Sequence, residues 1–130
     1  MKYMVMTFGA AADMFETTSR EWIAGMIDTM HAFNEELRER GELVDAQGLV
    51  DGYEAKTVRT RDGVAVVTDG PFAEAKESMV GYWIVDVESE EHVLERFRGL
   101  GERLLALPGG SGQGGGVFEV RRIADAPPEV

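Results

Sequence analysis

Two stretches, Lys2–Phe8 and Met79–Val87, set the tightest limit on what this chain can fold into. Each is strand-like, and each carries apolar side chains at odd and even positions alike. In the first, Tyr3, Val5 and Thr7 face one way while Met4, Met6 and Phe8 face the other. In the second, Val80, Tyr82 and Ile84 oppose Met79, Gly81, Trp83, Val85 and Val87. Successive strand residues point to opposite faces of a sheet. A sheet built on these strands therefore needs cover on both sides.

The rest of the chain supplies cover for one side only. Thr18-Ser19-Arg20-Glu21 has capping-box spacing, a hydroxyl and a glutamate three residues apart. The helix after it carries Trp22, Met26, Met30, Phe33 and Leu37 on one stripe, widened by Ile23 and Ile27, and Gly41 suits its C′ position. Ser89 caps a second helix through Ala106, with Val93, Leu94, Phe97, Leu100, Leu104 and Leu105 expected inside. Gly99 and Gly101 predict a bend or early fraying there, and Pro108 ends it.

Between the helices, Leu43–Val50 reads as a short strand interrupted by Gly48. Lys56–Arg61 and Val64–Thr68 flank Asp62-Gly63, the strongest hairpin signal in the chain. Gly109–Gly116 is a glycine- and serine-rich connection, Val117–Ile123 a last strand, and residues 124–130 a loose tail.

The order strand, helix, strand, hairpin, strand, helix, strand is that of a ferredoxin-like α+β sandwich with an inserted β-hairpin, one domain over residues 1–123. Two helices cover one face of such a sheet. The simplest cover for the other is a second copy packed sheet to sheet, giving a dimeric α/β barrel with a cavity between the sheets or at their rim.

Composition narrows the function classes. The 130 residues are 44% hydrophobic and 28% charged, enough for a core in a soluble domain. A net charge of −11 argues against nucleic acid and against anionic membrane surfaces. With no cysteine there is no disulfide, thiolate metal site or cysteine nucleophile. The start of the chain has no signal-peptide pattern, so the expected location is cytoplasmic. No dinucleotide-binding glycine motif, phosphate loop or Gly-x-Ser-x-Gly elbow is present, and no cofactor is expected.

The chemistry concentrates in residues 68–77, Thr-Asp-Gly-Pro-Phe-Ala-Glu-Ala-Lys-Glu. Hairpin connections usually need two to five residues, so this loop is longer than connection alone requires. Asp69 is the first candidate for a general base, desolvated against a wall of Phe72, Tyr82 and Trp83. The competing reading makes it a turn residue that accepts backbone N–H groups, as aspartate does in Asp-Gly sequences. Lys76 offers a cation for an anionic substrate, and Glu74 and Glu77 offer further carboxylates. The plainer alternative is a solvated ion pair at the start of a strand. Arg59 on the hairpin either crosses toward Asp69 or Glu77 or stays exposed. His31 and His92 read as structural and surface residues, with no partner at metal-ligand spacing in local sequence.

Asp69-Gly70-Pro71-Phe72-Ala73-Glu74-Ala75-Lys76-Glu77 resembles the signature of the DGPF proteins, the larger branch of the YCII-related family. That signature usually reads Asp-Gly-Pro-Phe-Ala-Glu-Thr-Lys-Glu, so Ala75 is the one departure. The similarity extends to Met1-Lys2-Tyr3-Met4, Phe33-Asn34-Glu35-Glu36-Leu37, Thr57-Val58-Arg59, Gly81-Tyr82 and Glu119-Val120-Arg121. It implies a dimeric α+β barrel and no settled reaction. Smaller YCII relatives pair a first-helix histidine with an aspartate. That position falls near Met30, and His31 lies a 100° helix rotation away, so the role is not carried over. DGPF proteins are often encoded beside extracytoplasmic-function sigma factors, which implies a regulatory partner.

Two functional readings follow, beside a structural one in which the motif only locks the hairpin against the dimer seam. One is a homodimer that binds a small molecule beside the 69–77 loop, with Asp69 and Lys76 as catalytic groups and Arg59, Phe72, Glu74, Glu77 and Tyr82 as ligand-binding residues. The other is a non-enzymatic regulatory or accessory protein whose loop meets a protein partner.

Overall fold

A computed structural model describes residues 1–9, 18–50, 52–70, 78–109 and 117–129. The elements run β1 (Lys2–Phe8), α1 (Arg20–Glu39), β2 (Leu43–Gly48), a 3-10 turn (Gly52–Glu54), β3 (Lys56–Arg61), β4 (Val64–Asp69), β5 (Met79–Asp86), α2 (Glu90–Leu105) and β6 (Phe118–Arg122). β2, β5, β1 and β6 form a four-stranded sheet in that order, every neighbouring pair antiparallel. β3 and β4 form a separate two-stranded sheet. This is the α+β plan expected of a ferredoxin-like chain.

The core forms on one face of the four-stranded sheet. Tyr3 and Val5 of β1 and Trp83 and Val85 of β5 are buried in one cluster with Phe33 and Leu37 of α1. Val93, Phe97, Leu100 and Leu104 of α2 complete it, so both helices lie on the same face. Phe33, Phe97 and Phe118 meet Trp83 edge-on at ring-centroid distances of 5.2–6.2 Å, a favoured aromatic geometry. The Trp83 indole N–H donates to Asn34 Oδ1 at 2.7 Å, so the buried ring leaves no orphaned donor.

Local sequence explains the helix ends, with one correction. The N-cap of α1 is Ser19, not Thr18: Ser19 Oγ accepts from the Trp22 N–H at 3.1 Å and donates to Gly109 O at 2.9 Å. The cap thus lies one residue later than the expected Thr18, and Trp22 takes the position where a capping box needs a glutamate. At the other end Gly41 has φ +72, Gly41 N–H donates to Arg38 O and Glu42 N–H donates to Leu37 O. These paired bonds are a Schellman closure, in which glycine adopts the left-handed conformation without steric cost. Ser89 caps α2 as expected, accepting from the His92 N–H. α2 runs unbroken through Gly99 and Gly101.

Three side chains expected inside are exposed: Ile27, Leu94 and Leu105. Each follows a stripe residue (Met26, Val93 and Leu104) and is turned about 100° from it. Two helices laid on a flat sheet bury a narrower stripe than the sequence allows. β2 also ends at Gly48, short of the expected Val50.

The Asp62-Gly63 turn between β3 and β4 has φ +53 and +78 at its two residues, as a primed hairpin turn requires. The ribbon is open to solvent: every β4 residue and all of β3 except Thr57 are exposed, including Val58, Val64, Val66 and Val67.

Candidate functional site

On the four-stranded sheet, the residues that alternate with the core face away from both helices. β1 contributes Met4 and Met6, and β5 contributes Tyr82 and Ile84; all four are half-buried. Register aligns them in rows. Asp45, Ile84, Met4 and Arg121 cross the sheet in one row, and Gln47, Tyr82, Met6 and Glu119 in the next. The face thus has an apolar centre flanked by polar groups on its edge strands β2 and β6. That distribution is typical of an interface, apolar within and polar at the rim.

Within this face lies the best-defined polar constellation of the sheet. The Tyr82 hydroxyl donates to Asp45 Oδ2 at 2.8 Å. Asp45 Oδ1 accepts from the Ala46 N–H at 2.9 Å and from Gln47 Nε2 at 3.2 Å. The hydrogen bond to Asp45 pushes the Tyr82 phenol above its ordinary value of 10.0, with burial and the carboxylate's charge adding to the effect. Tyr82 is therefore held neutral, with its one hydroxyl proton given to Asp45 and its oxygen left to accept a hydrogen bond from a ligand. Sequence reasoning reaches Tyr82 and misses Asp45. The only sequence signal for Asp45 is an acid inside a strand, Leu43-Val44-Asp45-Ala46.

A bulge decides where Asp45 lies. Leu43 pairs with Val85 and Asp45 with Ile84, a register shift that puts the extra residue, Val44, between them. Leu43 is thereby grouped with the core, while Asp45 shares the Ile84 row on the face away from the helices. Bulges redirect side chains in this way and are common next to functional sites.

The other expected residues are distributed differently. Asp69 is the last residue of β4 and forms an ion pair with Lys56, both side chains more than half exposed. An exposed pair of this kind contributes little stability. The expected wall of Tyr82 and Trp83 does not form, because the two rings lie on opposite faces of β5. Arg59 is exposed on β3. Among the described residues, no hydrogen bond or ion pair links Asp69 or Arg59 to Tyr82. Phe72, Glu74, Lys76 and Glu77 lie outside the described residues.

Gly70 shows what the start of the motif does for the chain. It is buried with φ +117, its N–H donates to Ala55 O at 3.0 Å, and its carbonyl accepts from Thr57 Oγ1 at 3.0 Å. A positive φ of this size favours glycine, so the Asp-Gly pair closes the base of the β3–β4 ribbon.

A second concavity, an open cleft of about 560 Å³, lies where the end of α1 meets the end of β5 and the first turns of α2. Four of its charged groups are engaged in pairs. Arg96 makes a bidentate pair with Glu42 at 3.1 and 3.3 Å, and the Met1 amine donates to Asp86 Oδ1 and to Val87 O. His92 Nδ1 lies 2.9 Å from Ser89 Oγ. Arg96 and Glu42 are both largely buried, and the pair braces α2 against the turn that follows α1.

Among the described residues, no group of three or more histidine, aspartate or glutamate side chains could hold a metal ion. Among the described helices, none is long and apolar enough to cross a membrane.

Comparison with known proteins agrees with the fold. The chain is 34% identical over 86 residues to an uncharacterized protein of Rhizobium meliloti (strain 1021), a match covering 66% of this chain and 63% of that protein. The chain therefore spans less than two thirds of that relative's length. The model of the YCII-related domain matches residues 1–103, across both helices and the first five strands. On that match, and on an α+β sheet with two helices on one face, this chain belongs to the YCII-related family.

Proposed function

We propose that this protein is a homodimer that binds a small molecule against its uncovered sheet face, with the second copy forming the opposite wall. The assembly is a dimeric α/β barrel in which β3–β4 is an inserted hairpin, and the DGPF-like 69–77 loop borders the cavity. The observation that carries this reading is the Tyr82–Asp45 pair, a neutral phenol hydrogen-bonded to a carboxylate at 2.8 Å beside the apolar centre of the face. Ligand sites are typically apolar walls with a few convergent polar groups.

The chemistry such a pair supports is cofactor-free proton transfer. Asp45 takes a proton from the ligand, and Tyr82, released as that carboxylate is neutralised, turns its one hydroxyl proton from Asp45 to the ligand oxygen that gains the negative charge. Phe72, Glu74, Lys76 and Glu77 belong to the bordering loop, with Asp69 at its start and Arg59 on the adjoining ribbon. In this reading Asp69 and Lys76 act on the ligand from the loop side.

A thermal-shift screen of small carboxylic, hydroxy and keto acids on wild type, Tyr82→Phe and Asp69→Asn tests the proposal. Acids that stabilise wild type and Asp69→Asn but not Tyr82→Phe support the sheet-face site. Acids that stabilise Tyr82→Phe as well as wild type would overturn it, and loss only in Asp69→Asn would move the site to the loop.

The exposed ribbon favours a second reading. A two-stranded hairpin is marginal in water by itself, yet four valines on this one are exposed. A regulatory or accessory protein would use such a ribbon to meet a protein partner, which the resemblance suggests is an extracytoplasmic-function sigma factor. Loss of a partner complex on Val58→Ser with Val67→Ser, at unchanged sheet-face binding, would favour it.

A further inference from the structure

The edge strands of the uncovered face carry complementary groups in matching rows. Asp45 and Gln47 lie on β2, and Arg121 and Glu119 lie at the same heights on β6, four strands across. Among the described residues, Arg121 and Glu119 take part in no ion pair. Arg121 is a fully charged planar donor that favours bidentate carboxylate partners.

Two copies packed face to face are related by a two-fold axis lying between the sheets, and the direction of that axis decides which edges meet. An axis across the strands sets β2 over the partner's β2, bringing Asp45 toward its own copy, like charge against like charge. An axis along the strands reverses the strand order and preserves height along each strand. β2 then lies over the partner's β6, and each row meets itself. Asp45 faces the partner's Arg121, and the Gln47 amide faces the partner's Glu119. In the centre Ile84 and Tyr82 face the partner's Met4 and Met6, apolar surface on apolar surface.

Sheet twist does not undo this matching. Aligned sheets cross at about 30°. Across a four-stranded sheet roughly 14 Å wide, that rotation offsets facing edge residues by only about 4 Å, little more than one residue. An arginine side chain spans that offset.

We infer that the Asp45–Tyr82 site is composite, with the partner's Arg121 supplying its cation through a two-fold axis that runs along the strands. This rests on the homodimer proposed above. The assembled site holds a carboxylate, a phenol and a guanidinium, and the chemistry it recognises is a small anion that also carries a hydroxyl to donate to the Tyr82 oxygen. A single chain lacks the cation, so the site forms only on dimerisation.

The chain has no cysteine, which makes cross-linking a direct test. Asp45→Cys and Arg121→Cys chains are prepared separately, mixed to exchange subunits, and treated with a short bis-maleimide whose reach is comparable to the ~10 Å spacing of packed sheets. Sedimentation of wild type is measured in parallel. The expected result is a wild-type dimer and a cross-linked pair in the mixed sample, absent from either variant alone. Cross-linking of Asp45→Cys to itself would put the axis across the strands and overturn the inference while leaving the dimer intact. A dimer whose mixed sample yields no product joining the two variant chains would do the same. A monomeric wild type would overturn the dimer and the composite site together.

Charge reversal gives an independent readout. Arg121→Glu should weaken dimerisation by roughly tenfold or more, since like charges then face each other across the seam. Adding Asp45→Arg to the same chain should recover most of that loss. Failure of the second change to recover dimerisation overturns the pairing.

Discussion

The two faces of the four-stranded sheet are built from alternate residues of the same strands, and they differ in what completes them. On one face Tyr3, Val5, Trp83 and Val85 are buried, with Trp83 the most accessible at 6%. On the other, Met4, Met6, Tyr82 and Ile84 are of similar size and remain half-exposed. Both faces are apolar by composition, so the difference lies in cover and not in the side chains. Among the described residues, two helices cover the first face and no element covers the second. In the proposed homodimer the first is a stability device and the second an assembly surface with a polar pair set into it.

That contrast gives ordered predictions. Trp83→Ala removes a buried indole that contacts three phenylalanines and leaves Asn34 unpaired. It should cost about 3–5 kcal/mol of folding stability, enough to leave a marginal domain largely unfolded in chemical denaturation. A near-neutral outcome would break the assignment of this face as the core.

Ile84→Asp, one position along the same strand, should act on assembly instead. Dimerisation should weaken by about 2 kcal/mol or more, roughly thirtyfold in Kd, as for a central interface residue. The monomer should keep its helical circular dichroism and most of its stability. Analytical ultracentrifugation across a dilution series reads the first effect, and unfolding at high dilution reads the second.

The smallest effect belongs to Tyr82 and is seen in its pH dependence. Its phenol is raised above 10.0 by Asp45 in the folded chain. A raised acid contributes stability that is fully present below the unfolded value and lost as pH climbs through the folded one. Wild type should therefore lose stability between about pH 10 and the higher folded value. Tyr82→Phe should lack that part of the loss and melt slightly lower than wild type near neutral pH. Tyrosinate absorbance should show one phenol fewer titrating late in the variant. Identical alkaline profiles for the two proteins would mean that the Tyr82–Asp45 bond does not couple to folding.

Much of the fold is legible in the sequence because it is set by short-range rules. Alternation marks β1 and β5, the Asp62-Gly63 pair marks its own turn, and Ser89 and Gly41 mark helix ends through bonds made within a few residues. The misses involve competition between neighbours. Ser19 and Thr18 are both competent caps, and Ser19 is the one whose hydroxyl also reaches a distant partner, the Gly109 carbonyl. Ile27, Leu94 and Leu105 are as apolar as the residues before them, and only the width of the helix–sheet contact separates inside from outside.

The candidate site is less legible. Tyr82 stands out as an aromatic on a two-faced strand, but Asp45 is one of 24 acidic residues and has no local signature. By straight alternation it shares a face with Leu43 and would lie with the core. The bulge that separates them exists only because β2 must pair with β5 in a register that seats Leu43 opposite Val85.

What the sequence determined by itself is the element order, the turns and caps, and the presence of more apolar strand surface than two helices can cover. These follow from backbone preferences and periodicity, which act over a few residues. Tertiary structure alone decided which apolar residues are buried, that Trp83 and Tyr82 serve opposite faces, and that Asp45 meets Tyr82 across 37 residues of chain. Those outcomes depend on strand register and on the geometry of contact between distant elements, and no local pattern encodes either.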